Sequence, residues 1–186
     1  MEELNRSLFE WAFQFSHQNF FLDLLIVFVA QYLPYFLVLG VLALIAEEKT
    51  WRKRLFFLNE VLLSLLLSRG IITELIRFFY NHARPFDALG IMALIEESGH
   101  SFPSGHAAFF FALAITVFYY NRRWGMVLFL LALLNGVARV VAGVHWPLDI
   151  VGGIVVGTLS ALAVHALLKP SFRKLFQTPE VKERNY

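Results

Sequence analysis

Five apolar stretches dominate the sequence, near Phe20–Ala46, Leu55–Tyr80, Ser104–Tyr120, Trp124–Val144 and Pro147–Leu168. Each approaches or exceeds the roughly 20 residues that cross a bilayer. Hydrocarbon cannot satisfy backbone N–H and C=O groups, so a spanning chain must be helical or a closed barrel. Unbroken apolar runs select helices. With 58% hydrophobic residues and 16% charged, the chain is far oilier than soluble domains, where about 25% are charged. The expected fold is all-α: a single membrane-embedded domain over residues 1–186, a polytopic bundle of about five spans.

Residues 1–18 mix Glu2, Glu3, Arg6 and Glu10 with Leu8, Phe9, Trp11, Phe13 and Phe15. That pattern predicts an amphipathic helix lying in the membrane interface. It is unlike a cleavable signal, which carries a basic start and a continuous apolar core. Residues 170–186 read as a polar tail. Cysteine is absent, which excludes disulfides, a thiolate nucleophile and cysteine-ligated metal. The net charge is +2, but spans separate the basic residues and no nucleic-acid face is expected.

Cytoplasmic loops carry the excess of Lys and Arg. Lys49, Arg52, Lys53 and Arg54 follow the first span, Arg122 and Arg123 follow the third, and Lys169, Arg173, Lys174, Lys182 and Arg184 follow the fifth. With five spans these share one side, expected to be cytoplasmic. The connections after the second and fourth spans fall on the opposite, extracytoplasmic side.

Three polar clusters sit at that outer side. The first holds Arg77 and Arg84-Pro85. Seven residues is about two helical turns, so a continuing helix would project both guanidinium groups from one side. Arginine's planar fork suits phosphate. The second is Pro103-Ser104-Gly105-His106 at the start of the third span, where free backbone N–H groups of a helix N-terminus favour an anion. The third runs from Arg139 through His145 to Asp149. Pro147 suits the first position of the fifth helix, so Asp149 can reach back to hold one nitrogen of His145 and leave the other free to attack. Each cluster alone reads as a helix cap, a structural pair or a basic helix end. Together, in or beside spans, they point to function.

In this combination the residues resemble the type 2 phosphatidic acid phosphatase superfamily, the lipid phosphate phosphatases. Its signature is Lys, six residues, Arg-Pro; then Pro-Ser-Gly-His; then Ser-Arg, five residues, His, three residues, Asp. Here Arg77 replaces the lysine and Ala138 the serine. The resemblance implies that His145 attacks phosphorus, Asp149 orients it and His106 protonates the leaving oxygen. Arg77, Arg84, Arg139 and the Pro103-Ser104-Gly105 turn would hold the phosphate oxygens, with no metal and no cofactor, since arginines supply the charge.

The size and outward site look like the bacterial undecaprenyl-diphosphatase branch, in the cytoplasmic membrane. The expected partners are a lipid phosphate or diphosphate and membrane lipid, with no protein partner. The alternatives are a phosphatidylglycerophosphate or phosphatidic acid phosphatase, a vanadate haloperoxidase-like protein, and a non-catalytic membrane scaffold or transporter. Weaker expectations concern other polar residues. His82 and His100 lie close to the signature and could line the site or be solvated loop residues; His17 and His165 read as interfacial. Arg69 and Glu74 read as an intramembrane pair that could include Asp23. The apolar segment Ala88–Ile95 could rest on the bilayer.

Overall fold

The computed structural model describes residues 2–177. Helix α1 covers Glu2–Phe13. Four helices are long and apolar enough to cross a membrane: α2 (Phe20–Glu47), α3 (Trp51–Phe79), α6 (Arg122–Val141) and α7, which starts at Pro147 and runs to Phe176. Between α3 and α6 lie a short helix, α4 (Pro85–Leu89), and α5 (Gly105–Tyr120), the shorter fifth apolar helix. The protein is an integral membrane protein, and its outer faces carry lipid-compatible side chains such as Phe21, Phe78 and Leu167.

Helix α5 is the axis of the bundle. Ala107, Ala108, Phe111, Ala112, Ala114 and Val117 along it are buried. Small residues let α7 lie directly against it: a Cβ added at Gly153 would stand 2.6 Å from both Ala107 Cβ and the Ser104 carbonyl. Gly157 makes the same close approach to the Ala108 carbonyl. This small-xxx-small spacing is how membrane helices gain van der Waals contact where no hydrophobic driving force separates helix from lipid. It brings the first turns of α5 and α7 together, where His106 and Asp149 reside.

Two spans contain wide π-helical turns, at Phe28–Tyr32 in α2 and Leu66–Ile72 in α3. Such turns free backbone groups and cluster at functional places. In α2 the carbonyls concerned are taken by α6: Asn135 Nδ2 donates to Val29 and Ala30 at 2.8 and 3.1 Å, and Arg139 Nη1 donates to Ala30 at 3.3 Å. That junction fixes Arg139 in the bundle interior, where it is 1% exposed.

Helix α1 packs on the bundle: Phe9 is buried against Trp146, ring centroids 5.0 Å apart, and Asn5 Oδ1 accepts from Leu148 N at 3.0 Å. It clamps the turn that carries His145. His165 is not interfacial but buried, with Nδ1 2.7 Å from Glu60 Oε1; Tyr120 donates to the other Glu60 oxygen at 2.5 Å. The pairing satisfies charges that would otherwise be costly in a span. Helix α7 continues through Pro170 to Phe172 and a π-helical turn to Gln177. Phe172 and Phe176 stack there beside Tyr120. Lys182 and Arg184 lie outside the described residues.

Candidate active site

Helix α3 ends at Phe79, and Arg84 follows an extended stretch as the residue capping α4. The two-turn helical argument for Arg77 and Arg84 therefore fails in detail, although both side chains reach the same cavity. Arg77 Nη2 donates to the Pro103 carbonyl at 3.1 Å. Arg84 is 2% exposed and donates to the carbonyls of Gly99, Val144 and Ser98 at 3.0, 2.9 and 3.1 Å. It braces the loop before α5 against the turn before α7.

Ser104 caps α5, its Oγ accepting from Ala107 N at 3.4 Å. It is fully buried, and the cavity wall is formed by Gly105 and His106 instead. Pro103 contributes by holding Arg77 through its carbonyl.

His145 and Asp149 meet as their spacing predicts. Asp149 Oδ2 lies 3.2 Å from His145 Nδ1, accepts from Trp146 N at 2.8 Å and accepts from the Ser101 hydroxyl. The ring's other nitrogen, Nε2, is 3.5 Å from Arg84 Nη1, which places it among the guanidinium groups. Burial above all, helped by the charges of Arg139 and Arg84, lowers the His145 pKa to about 4 despite Asp149. The imidazole is therefore neutral at pH 7 with Nδ1–H toward the carboxylate, leaving the Nε2 lone pair free.

The cavity holds about 560 Å³ and is lined by Arg69, Arg77, Arg84, Arg139, His106 and His145, together with Glu97 and residues of α2. Glu97 Oε1 is ion-paired with Arg139, and Oε2 lies 3.6 Å from Arg84. Burial would raise the Glu97 pKa, but Arg139 and Arg84 outweigh it and hold the carboxyl below its ordinary range. Burial lowers the Arg84 pKa, an effect that Glu97 opposes and Arg139 reinforces. Arg77 Nε and Arg139 Nε are buried donors without a hydrogen-bond acceptor among the described residues.

Sequence reasoning missed Glu97, in the polar run that follows the apolar segment ending at Ile95, and Ser101, whose hydroxyl donates to Asp149. It left His82 open between the site and solvent. That ring stands behind Asp149, with Nδ1 3.7 Å from Oδ1. Segment Ala88–Ile95 folds back onto the bundle, Leu94 N donating to Ala142 O at 2.9 Å, while Met92 stays exposed. Arg69 and Glu74 do pair; Asp23 instead accepts from His17 N at 2.8 Å.

The sequence pattern of the PAP2 superfamily matches residues 57–173, the stretch that carries all three clusters. The chain belongs to the PAP2 superfamily. This PAP2 chain is 32% identical over 164 residues to the bacitracin transport permease protein BcrC of Bacillus licheniformis, a match covering 87% of it and 79% of that relative. It is 31% identical over 159 residues to undecaprenyl-diphosphatase BcrC of Bacillus subtilis, covering 84% and 80%. The crystal structure of Aquifex aeolicus LpxE superimposes with a TM-score of 0.72 at 26% identity, over 88% of this chain and 95% of that one. As a PAP2 protein the chain is a membrane-embedded hydrolase of phosphate esters or anhydrides.

Proposed function

We propose that this phosphatase converts undecaprenyl diphosphate to its monophosphate through a phosphohistidine on His145, at the extracytoplasmic face. The observation that carries the mechanism is the neutral imidazole whose Nδ1 is held by Asp149 while Nε2 faces Arg84, with the charge of Arg139 also acting on the ring. Arg77, Arg84 and Arg139 stabilise the charge on the transferring phosphoryl group, and the unpartnered Nε groups of Arg77 and Arg139 are donors that phosphate oxygens would satisfy. His106 protonates the leaving oxygen and then takes a proton from the water that cleaves the phosphohistidine. The substrate assignment is supported by the name of the Bacillus subtilis relative. The outward face is supported by the basic residues at the far ends of the spans, Lys49 to Arg54 and Arg122 to Arg123.

Phosphate release in detergent tests the reading, with undecaprenyl diphosphate, phosphatidylglycerophosphate, phosphatidic acid and a soluble phosphate ester as substrates. The lipid diphosphate should be cleaved best and His145→Ala should abolish release. Best activity on the soluble ester would overturn it. The transport name of the Bacillus licheniformis relative favours a carrier as the second reading. A carrier requires no oriented nucleophile, so undiminished function in His145→Ala would favour it.

A further inference from the structure

The cavity contains a fourth arginine that the three-part signature does not include. Arg69 lies on the wide turn of α3, eight residues before Arg77. An α-helix turns about 100° per residue, which would set residues eight apart about 80° from each other around the axis. The wide turn winds less and closes part of that gap, so both guanidinium groups line the cavity. Glu74 joins them: it is ion-paired with Arg69 Nη1 and lies 3.6 Å from Arg77 Nη1. Arg69 Nε and Nη2 make no hydrogen bond among the described residues.

Arg69 lies on the His106 side of the cavity. Its guanidinium rests on Gly105, where an added Cβ would stand 2.5 Å from Nε, directly beside His106. Its charge acts on Arg77 and, after the larger effect of Arg139, on His106, whereas the arginines acting on His145 are Arg139 and Arg84. Gln31 and Tyr35 line the cavity as well, and Tyr35 is exposed on the lipid-facing side of α2. Nucleophile and leaving group stand on opposite sides of a phosphoryl group in an in-line displacement.

We infer that Arg69 binds the lipid-attached phosphate of a diphosphate substrate, making it the residue that selects diphosphates over monoesters. This rests on the reading above and adds the leaving group to it. His145 Nε2 forms a bond to the terminal phosphorus. The bond from that phosphorus to the bridging oxygen breaks, and its electron pair leaves with the lipid monophosphate as His106 protonates that oxygen and Arg69 neutralises the remaining charge. Water then bonds to the same phosphorus, its proton passes to His106, and the P–N electron pair returns to His145 as inorganic phosphate departs. A monoester places an alkoxide or alcohol where Arg69 waits for a phosphate, and gains nothing from it.

The test compares wild type, Arg69→Ala and Arg69→Lys in detergent. It measures kcat/KM for undecaprenyl diphosphate and competitive inhibition by methylenediphosphonate, which spans both subsites, against inhibition by inorganic phosphate, which fills one. In Arg69→Ala, kcat/KM should fall about 10- to 100-fold, the effect of removing a charge-assisted hydrogen bond, and the inhibition constant for methylenediphosphonate should rise at least about tenfold relative to that for phosphate. Arg69→Lys, which keeps the charge without the fork, should fall between; it decides the matter if the alanine variant does not fold. Equal changes for both inhibitors, or none, would overturn the inference. Failure of the underlying reading looks different: wild type would release phosphate from monoesters and none from undecaprenyl diphosphate, and the inference would fall with it.

Discussion

Glu97 occupies the cationic cage with a carboxylate, so replacing it with glutamine should tighten the binding of other anions. Its Oε2 lies 3.6 Å from Arg84, and its side chain is 24% exposed. At an effective dielectric constant of about 20, one such pair is worth about 5 kcal/mol of Coulomb energy. An incoming phosphate re-forms the contacts it displaces, and the released carboxylate regains water, so only a fraction appears in the binding constant. A net effect of about 1.4–2.8 kcal/mol corresponds to about 10- to 100-fold. The assay is competitive inhibition by orthovanadate or inorganic phosphate. In Glu97→Gln the inhibition constant should drop by that factor, and added phosphate should raise the melting temperature more than in wild type, because Arg139 has lost its buried partner. An unchanged or higher inhibition constant would refute competition for the cage.

The His145 pKa gives a stability prediction with a definite sign. Unfolded imidazole takes up a proton near pH 6.5, whereas the folded one does so only near pH 4. Between these values the unfolded state binds more protons, so stability is full above about pH 6.5 and is lost as pH falls toward 4, by about 3 kcal/mol. Denaturation measured across that range should show a loss of stability larger by this amount in wild type than in His145→Gln. At the α5–α7 contact, Gly157→Leu should force the helices apart, lowering phosphatase activity at least about 100-fold and destabilising the protein by about 1–3 kcal/mol or more. Gly40→Leu, where an added Cβ meets nothing within 4 Å, should leave melting temperature and activity near wild type; equal effects at both positions would contradict the close-packing argument.

The sequence revealed what depends on local order and spacing. Pro147 at the helix start set Asp149 four residues beyond His145, and the pair formed. The three clusters fell at helix ends because each interrupts an apolar run. What remained hidden depends on contacts between segments distant in sequence. Glu97 and Arg139 are 42 residues apart, and Asn135 reaches Ala30 across 105. The wide turns in α2 and α3 leave no periodic signature in runs that are apolar on every side, so the inward aim of Arg69 could not be read from its position. His165 looked interfacial because its partner Glu60 lies in another span. Arg84 and Arg77 converge although the helix between them stops, since the connection is held by the Arg84 bonds to the carbonyls of Gly99 and Val144.

The central claim is covalent transfer of phosphate to His145 Nε2. Rapid-quench mixing with undecaprenyl diphosphate carrying radiolabelled terminal phosphate tests it directly. The account predicts transient label on the protein, stable to base and labile to acid, localised to the peptide containing His145 and missing in His145→Ala. Full turnover by wild type with no protein-bound label at any time, or label on another residue, would contradict it.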